Sequence, residues 1–154
     1  MDPNNQINSA GIVLYVVHFG IPSFLLLKNK FNSRDFSVAK GHIEKNEKIF
    51  ETIKREVFEE TNLSENDYIF DDEMEFKFCH EIIPTKRIPL GKKTVFLKVA
   101  RIKKESIKKI KLSREHTKYV FANLLLSKKL IKLQQLKDTL NQINTQLLLR
   151  LKKN

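Results

Sequence analysis

The chain has 154 residues, 41% of them hydrophobic, which is enough for one domain with a buried core. Its single cysteine, Cys79, excludes a disulfide framework and a cysteine-rich zinc site. No apolar run approaches the roughly 20 residues that span a bilayer, and the start, MDPNNQINSAG, has no basic segment ahead of an apolar one, so a soluble cytoplasmic protein without membrane contact is expected.

The net charge of +11 is unevenly placed. Residues 44–81 carry 13 acidic and 5 basic side chains, whereas residues 82–118 carry 13 basic and 2 acidic. An acidic block followed by a basic one suits a site that holds cations beside a polyanion.

Ala10 to Val17 (AGIVLYVV) is apolar and β-branched, and Phe24 to Leu27 continues the pattern after Pro22; the two predict a strand pair. Residues 47–61 predict a helix. Phe76, Phe78 and Ile82 alternate along one face of a strand, and TVFLKVARI (94–102) is a second apolar strand, with Ile88-Pro89-Leu90-Gly91 as the turn between them. From Ala122 onward the spacing of Leu133, Leu136, Leu140, Ile143 and Leu147 predicts helix. No repeat or linker interrupts the chain, so residues 1–154 read as one domain with a basic helical region over 122–154. Strands, a helix, more strands and a final helix predict an α/β fold, a mixed sheet covered on both faces.

The first helix carries the chemistry. Projected at 100° per residue from Glu56, Ile49, Ile53, Val57 and Phe50 form an apolar stripe. Glu60 falls inside that stripe and Glu59 beside it. Glu56 and Glu60 are like charges at i,i+4, which costs roughly 0.2–0.5 kcal/mol in an isolated helix. Carboxylates converging at the edge of a buried face require a cation, and hard oxygen ligands predict Mg2+ or Mn2+ rather than zinc.

The segment GHIEKNEKIFETIKREVFEETNL, beginning at Gly41, resembles the Nudix box, G-x5-E-x7-R-E-U-x-E-E-x-G-U. Gly41, Glu47, Arg55, Glu56, Val57, Glu59, Glu60 and Leu63 are in register. Asn62 replaces the second glycine and is the next best residue for a positive φ at a helix end. Chance agreement at the six Gly, Glu and Arg positions is on the order of 10⁻⁷ per register. The resemblance implies a Nudix α/β/α sandwich with a loop–helix–loop catalytic motif, and a hydrolase that cuts a pyrophosphate bond in a nucleotide. It implies catalytic and metal-holding roles for Glu56, Glu59 and Glu60, with Gly41 at the head of the metal site. Glu60 would also orient or deprotonate water, and Glu47 and Arg55 would form a structural ion pair.

Three flanking segments resemble the asymmetrical diadenosine tetraphosphate hydrolases: Phe24-Leu-Leu-Leu-Lys28, Lys40-Gly41-His42, and Leu112-Ser-Arg-Glu-His-Thr-Lys-Tyr-Val-Phe121. The resemblance makes Glu115 a further metal ligand, places Tyr119 against an adenine, and gives Lys40 and His42 to the substrate. The chain departs from that subfamily in having Phe36-Ser37-Val38-Ala39 where a W-x-x-P is usual. It also has no aromatic residue from Ile83 to Lys93, where a second adenine-stacking tyrosine is usual. That stretch offers Lys86, Arg87, Lys92 and Lys93 for phosphates instead. The resemblance to the subfamily implies hydrolysis of diadenosine tetraphosphate to ATP and AMP, and a monomer acting on a small nucleotide is expected.

Other readings stay open. The lysines could track RNA in a Nudix enzyme that trims 5′ ends, or hold inositol pyrophosphates. The fold could also serve as a non-hydrolysing nucleotide-binding module, and the final helix could mediate oligomerisation rather than pack on its own domain.

Overall fold

The structure, a computed structural model, describes residues 6–31, 35–82 and 91–153. The proposed turn at Ile88–Leu90, together with Lys86 and Arg87, lies outside them. Strands β1 (Gln6–His18) and β2 (Ile21–Asn29) form an antiparallel hairpin. Its two turn residues, Phe19 and Gly20, both have positive φ, as a two-residue connection that matches strand twist requires. β1 continues as the central strand, parallel to β6 (Gly91–Ile102), and β6 pairs antiparallel with β5 (Tyr68–Ile82).

The sheet forks beyond the hairpin. β1 bonds to β2 over Tyr15–His18, but over Ser9–Ile12 it bonds to the short strand β4 (Ala39–His42). β2 meanwhile pairs with β3 (Phe36–Ser37) and with β7 (His116–Ala122). The opening between the two branches holds the cleft described below.

Helices cover both faces. α1 (Ile49–Thr61) packs Ile53 and Val57 against Ile12, Leu25, Leu27 and Ala100. α2 (Leu124–Leu130) and α3 (Gln134–Lys152) cover the other face, where Leu136, Leu140, Ile143 and Leu147 are buried against Val13, Leu26, Phe78 and Val99. The apolar stripe of α3 is thus covered by its own sheet, which removes the reason to assign it to oligomerisation.

An irregularity in β5 lets one strand serve both layers. Between Phe70 and Glu75 the strand gains residues relative to β6, and Glu73 takes a positive φ. The extra residues reverse the alternation, so Tyr68 and Phe70 face α1 whereas Met74, Phe76 and Phe78 face α3.

Several sequence expectations are corrected. The helix begins at Ile49 rather than 47, because Glu47 and Lys48 belong to the preceding loop, where the Glu47 side chain is engaged with Arg55 and Thr52. Ile49 and Phe50 are more than a third exposed and overhang the sheet, where Phe50 packs on the Phe70 ring at 5.2 Å. Their expected place in the core is taken by Thr52, Thr61 and the carboxyl-bearing Glu60. Ala122 ends β7 rather than starting a helix, and the C-terminal region is two helices broken at residues 131–133.

Candidate active site

The loop ahead of α1 is built on a carboxylate–guanidinium fork. Arg55 donates from Nε to Glu47 Oε2 at 2.8 Å and from Nη2 to Oε1 at 3.0 Å. The same Glu47 Oε1 accepts the Thr52 hydroxyl at 2.5 Å and the Glu44 amide at 3.2 Å. Arg55 Nη2 also donates to the His42 carbonyl at 3.0 Å, which fastens the end of β4 to the helix. The bonds from Arg55 and Thr52 hold the Glu47 carboxyl down to about 2, so it is ionised throughout the working range.

Glu56 and Glu60 have the opposite environment. Burial raises the Glu56 carboxyl, with Glu59 and Glu115 adding to the effect and Arg55 opposing it. Glu60 is 6% exposed, and burial followed by the charge of Glu56 pushes it up to about 8. Its Oε2 accepts the Lys40 amide at 2.9 Å, and His116 Nε2 stands 4.0 Å from Oε1. Burial lowers His116, so that contact is with a neutral imidazole rather than an ion pair.

Gly41 is required by close approach. A Cβ there would overlap the Glu56 carboxylate, because β4 lies directly against the inner face of α1. At the far end of the helix, Asn62 takes the left-handed conformation at φ 67°, donates its amide to the Phe58 carbonyl, and reaches the Lys109 carbonyl with its side chain.

These groups open into a cleft of about 860 Å³. Glu56, Glu59, Glu60 and Glu115 line one part; Lys40, His42, His80 and Lys93 line another. Lys40, His42, Lys93 and His80 share one face of the sheet by register, with His80 directly opposite Lys93. Burial lowers Lys93 to about 8, and the neighbouring Lys40 charge adds to the shift. His42 and His80 are lowered too, first by burial and then, among their charged neighbours, by Lys93. Arg55 meets part of the charge on Glu56 and Glu59, whereas Glu60 and Lys93 are short of a full complement. The carboxylates favour cations, and the lysine–histidine wall favours an anion.

The carboxylates also suit a divalent metal chemically, being hard oxygen donors, three on α1 and Glu115 in the turn before β7. Among the described residues, no three His, Cys, Asp or Glu side chains stand as a finished cage. Glu56 and Glu59 both bond Arg55 Nη1, at 2.8 and 3.3 Å, so taking a cation would turn them away from the guanidinium.

Of the residues singled out in the sequence, the structure brings Lys40, Gly41, His42, Glu56, Glu59, Glu60, Lys93 and Glu115 into one cleft. Lys92 is exposed beyond it. Tyr119 does not line it among the described residues. Side chains alternate along β7, so Tyr119 and Phe121 face the α1 side, where their rings meet edge to face, while Val120 joins the α3 layer. Sequence reasoning missed His80, Phe36, Val38, Leu133 and Leu136. The alternation of Phe76, Phe78 and His80 could have signalled the first, but its place opposite Lys93 depends on a strand register that spacing alone does not give.

The chain matches the NUDIX domain family over residues 7–141. It belongs to that family. No curated protein matches it in sequence. Among solved structures it is similar to the Ap4A hydrolase of C. elegans in a binary complex, at 21% identity and TM-score 0.81, with 92% of this chain and 97% of that one covered. It is also similar to the E. coli dihydroneopterin triphosphate pyrophosphohydrolase, at 18% identity and TM-score 0.66, covering 90% and 95%. A third relative in fold is the MutT protein of Methanosarcina mazei, at 20% identity and TM-score 0.64, covering 95% and 97%. At these identities the likeness is one of fold. The NUDIX chain is accordingly an α/β sandwich and a pyrophosphohydrolase, and no helix among its described residues is long and apolar enough to cross a membrane.

Proposed function

We propose that this protein hydrolyses dinucleoside tetraphosphates asymmetrically, giving ATP and AMP from diadenosine tetraphosphate. The observation that carries the reading is the cleft in which the carboxylates of Glu56, Glu59, Glu60 and Glu115 stand beside the cations Lys40 and Lys93 and the imidazoles of His42 and His80. A polyphosphate chain carrying Mg2+ or Mn2+ supplies the missing partner to both at once. The resemblance of the Lys40-Gly41-His42 and Leu112–Phe121 segments to the asymmetrical hydrolases, and the fold shared with the C. elegans Ap4A hydrolase, favour a dinucleotide over the other substrates.

Glu56, Glu59, Glu60 and Glu115 would hold the metal, with Gly41 keeping the space into which Glu56 fits. When bound, the metal polarises the pyrophosphate and acidifies water. Glu60, held by the Lys40 amide, would orient the attacking water and receive its proton. Lys40, His42 and Lys93 hold phosphate oxygens, and Lys86 and Lys92 serve the outer phosphates. The Glu47–Arg55 fork keeps loop and helix in register.

The test is a product analysis with Mg2+ across diadenosine tetraphosphate, 5′-triphosphorylated or capped RNA, and inositol pyrophosphates. ATP plus AMP from the dinucleotide, with the highest kcat/KM, is expected. A preference for RNA that persists at moderate salt and weakens on substituting Lys128, Lys129 and Lys132 would overturn the substrate assignment. An RNA backbone should also show the steeper salt dependence, since each neutralised phosphate adds to the slope. Binding without any hydrolysis would make the chain a nucleotide-binding module.

A further inference from the structure

The end of the sheet away from the cleft is both apolar and basic. It is formed by the β1–β2 turn and by α2. β7 runs antiparallel to β2 with Ala122 opposite Phe24, so the chain enters α2 beside the turn rather than beside the cleft. At the turn Phe19 is 91% exposed and Ile21 51%; on the outer face of α2 Leu125 is 68% exposed and Leu126 43%. The core does not account for these side chains, since α2 buries Ser127 and packs Leu124 and Leu130 inward. Phe19 is also poorly matched to its position. It holds φ at 50°, where a two-residue hairpin turn is made most readily by Asn, Asp or Gly. Its ring meets only the edge of His18 at 4.4 Å and otherwise stays in water.

Lysines stand on both sides of this apolar group. Lys128 and Lys129 follow Leu126 on α2. Lys103 and Lys104 follow the end of β6, which runs parallel to β1 with Arg101 opposite Tyr15. Residues 9–34 and 116–137, which include the turn, β7 and α2, contain no Asp or Glu. Glu65 and Glu105 stand beyond β6, and Glu65 is paired with Lys54 at 3.2 Å.

We infer that this end of the molecule docks on an anionic lipid surface, with Phe19, Ile21, Leu125 and Leu126 entering the interface and the flanking lysines meeting the headgroups. Leucine and isoleucine offer neither a π-face nor a hydrogen-bonding group to a nucleic-acid strand. Apolar tips flanked by lysine draw instead on acyl chains and anionic headgroups together. Ile21 is six residues along β2 from Leu27 at the cleft, about 20 Å at the ordinary rise of a strand, so a docked molecule keeps its cleft open to water. Such contact needs no membrane-spanning helix, and there is none among the described residues.

The experiment is cosedimentation of the full chain with vesicles of phosphatidylcholine, alone or with about one-third phosphatidylserine. Binding to the anionic vesicles should be stronger by about tenfold or more and should fall as salt is raised. Phe19→Asn should weaken it by about fivefold while leaving Tm unchanged or higher, because asparagine suits the positive φ of the turn. Leu125→Ser combined with Leu126→Ser should weaken it by about as much, with unchanged far-ultraviolet dichroism. The chain has no tryptophan, so Phe19→Trp adds a single reporter whose emission should shift to the blue on anionic vesicles. The inference is overturned if the two kinds of vesicle bind alike or not at all, or if the reporter's emission does not move. It is also overturned if the apolar substitutions have no effect while Lys128→Gln with Lys129→Gln abolishes binding and a uridine oligomer competes for the surface, which would assign it to RNA. Self-association that Phe19→Asn removes, without vesicle binding, would overturn it in favour of a second copy of the chain.

Discussion

Glu60 gives the sharpest test, because the same burial that suits it to chemistry should weaken the metal-free fold. Its carboxyl stands at about 8 in the folded chain against an ordinary 4.5. At 1.36 kcal/mol per unit, this difference is on the order of 4–5 kcal/mol. The sign follows from the raised value. Below pH 4.5 the folded and unfolded chains both hold the proton and the contribution is fully present; it is lost as pH rises through about 8, where the folded state must ionise a buried group. Glu60→Gln keeps the shape, and its amide oxygen can still accept from the Lys40 amide, but it never ionises. Urea unfolding in chelator should therefore find the two chains within about 1 kcal/mol at pH 5, and the Gln variant several kcal/mol more stable at pH 9. For a chain of this size that is a difference in Tm of about 10 °C. Mg2+ should restore the wild type at pH 8 and do little for the variant, whose kcat should be lower by about 10² or more. Parallel stability curves across pH 5–9 would refute the reasoning, since they would mean that Glu60 is not ionised at a desolvated position.

Chelator should abolish hydrolysis reversibly while leaving the far-ultraviolet dichroism unchanged, because Glu60 alone of these carboxylates is buried and the two apolar layers on the sheet hold the fold without a cation. Glu56→Gln should lower kcat by about 10² and Glu115→Gln by less, measured at saturating substrate; the control is the exposed Glu65, since Glu44 stands 3.8 Å from Arg55 and lines the cleft. Gly41→Ala should reduce activity as severely as Glu56→Gln, because the added methyl occupies the place of the Glu56 carboxylate, and a soluble, folded but inactive variant is the expected readout. Arg55→Lys keeps the charge but loses the fork to Glu47, and should cost about 1–2 kcal/mol in urea unfolding.

Elements set by local pattern were legible in the sequence, and those set by register were not. The β-branched run at Ala10–Val17 and the apolar alternation at Phe76–Phe78 point to strands whatever lies beside them. The positive φ at Asn62 likewise follows from residue chemistry at a helix end. The reversal of faces within β5 depends on extra residues with no sequence punctuation, and the pairing of β4 with β1 follows from where the sheet forks. Tyr119 shows the limit within the site. Its motif position was clear, but one residue of register decides which face of a strand a side chain takes. Leu133 and Leu136 were legible only as a helical stripe, because their place in the cleft is a property of how α3 crosses the sheet.

The box also shows how one residue type is divided between structure and chemistry. Glu47 and Glu60 belong to a single loop–helix unit, yet one carboxyl sits near 2 and the other near 8. Arg55 decides the difference. Its Nε and Nη2 are committed to Glu47, leaving only Nη1 to be shared between Glu56 and Glu59, and it makes no bond to Glu60. Glu60 has only the Lys40 amide and the Lys40 charge against burial and two neighbouring carboxylates. Incomplete neutralisation thus distinguishes the proposed metal-holding face of this helix from a network of ordinary ion pairs.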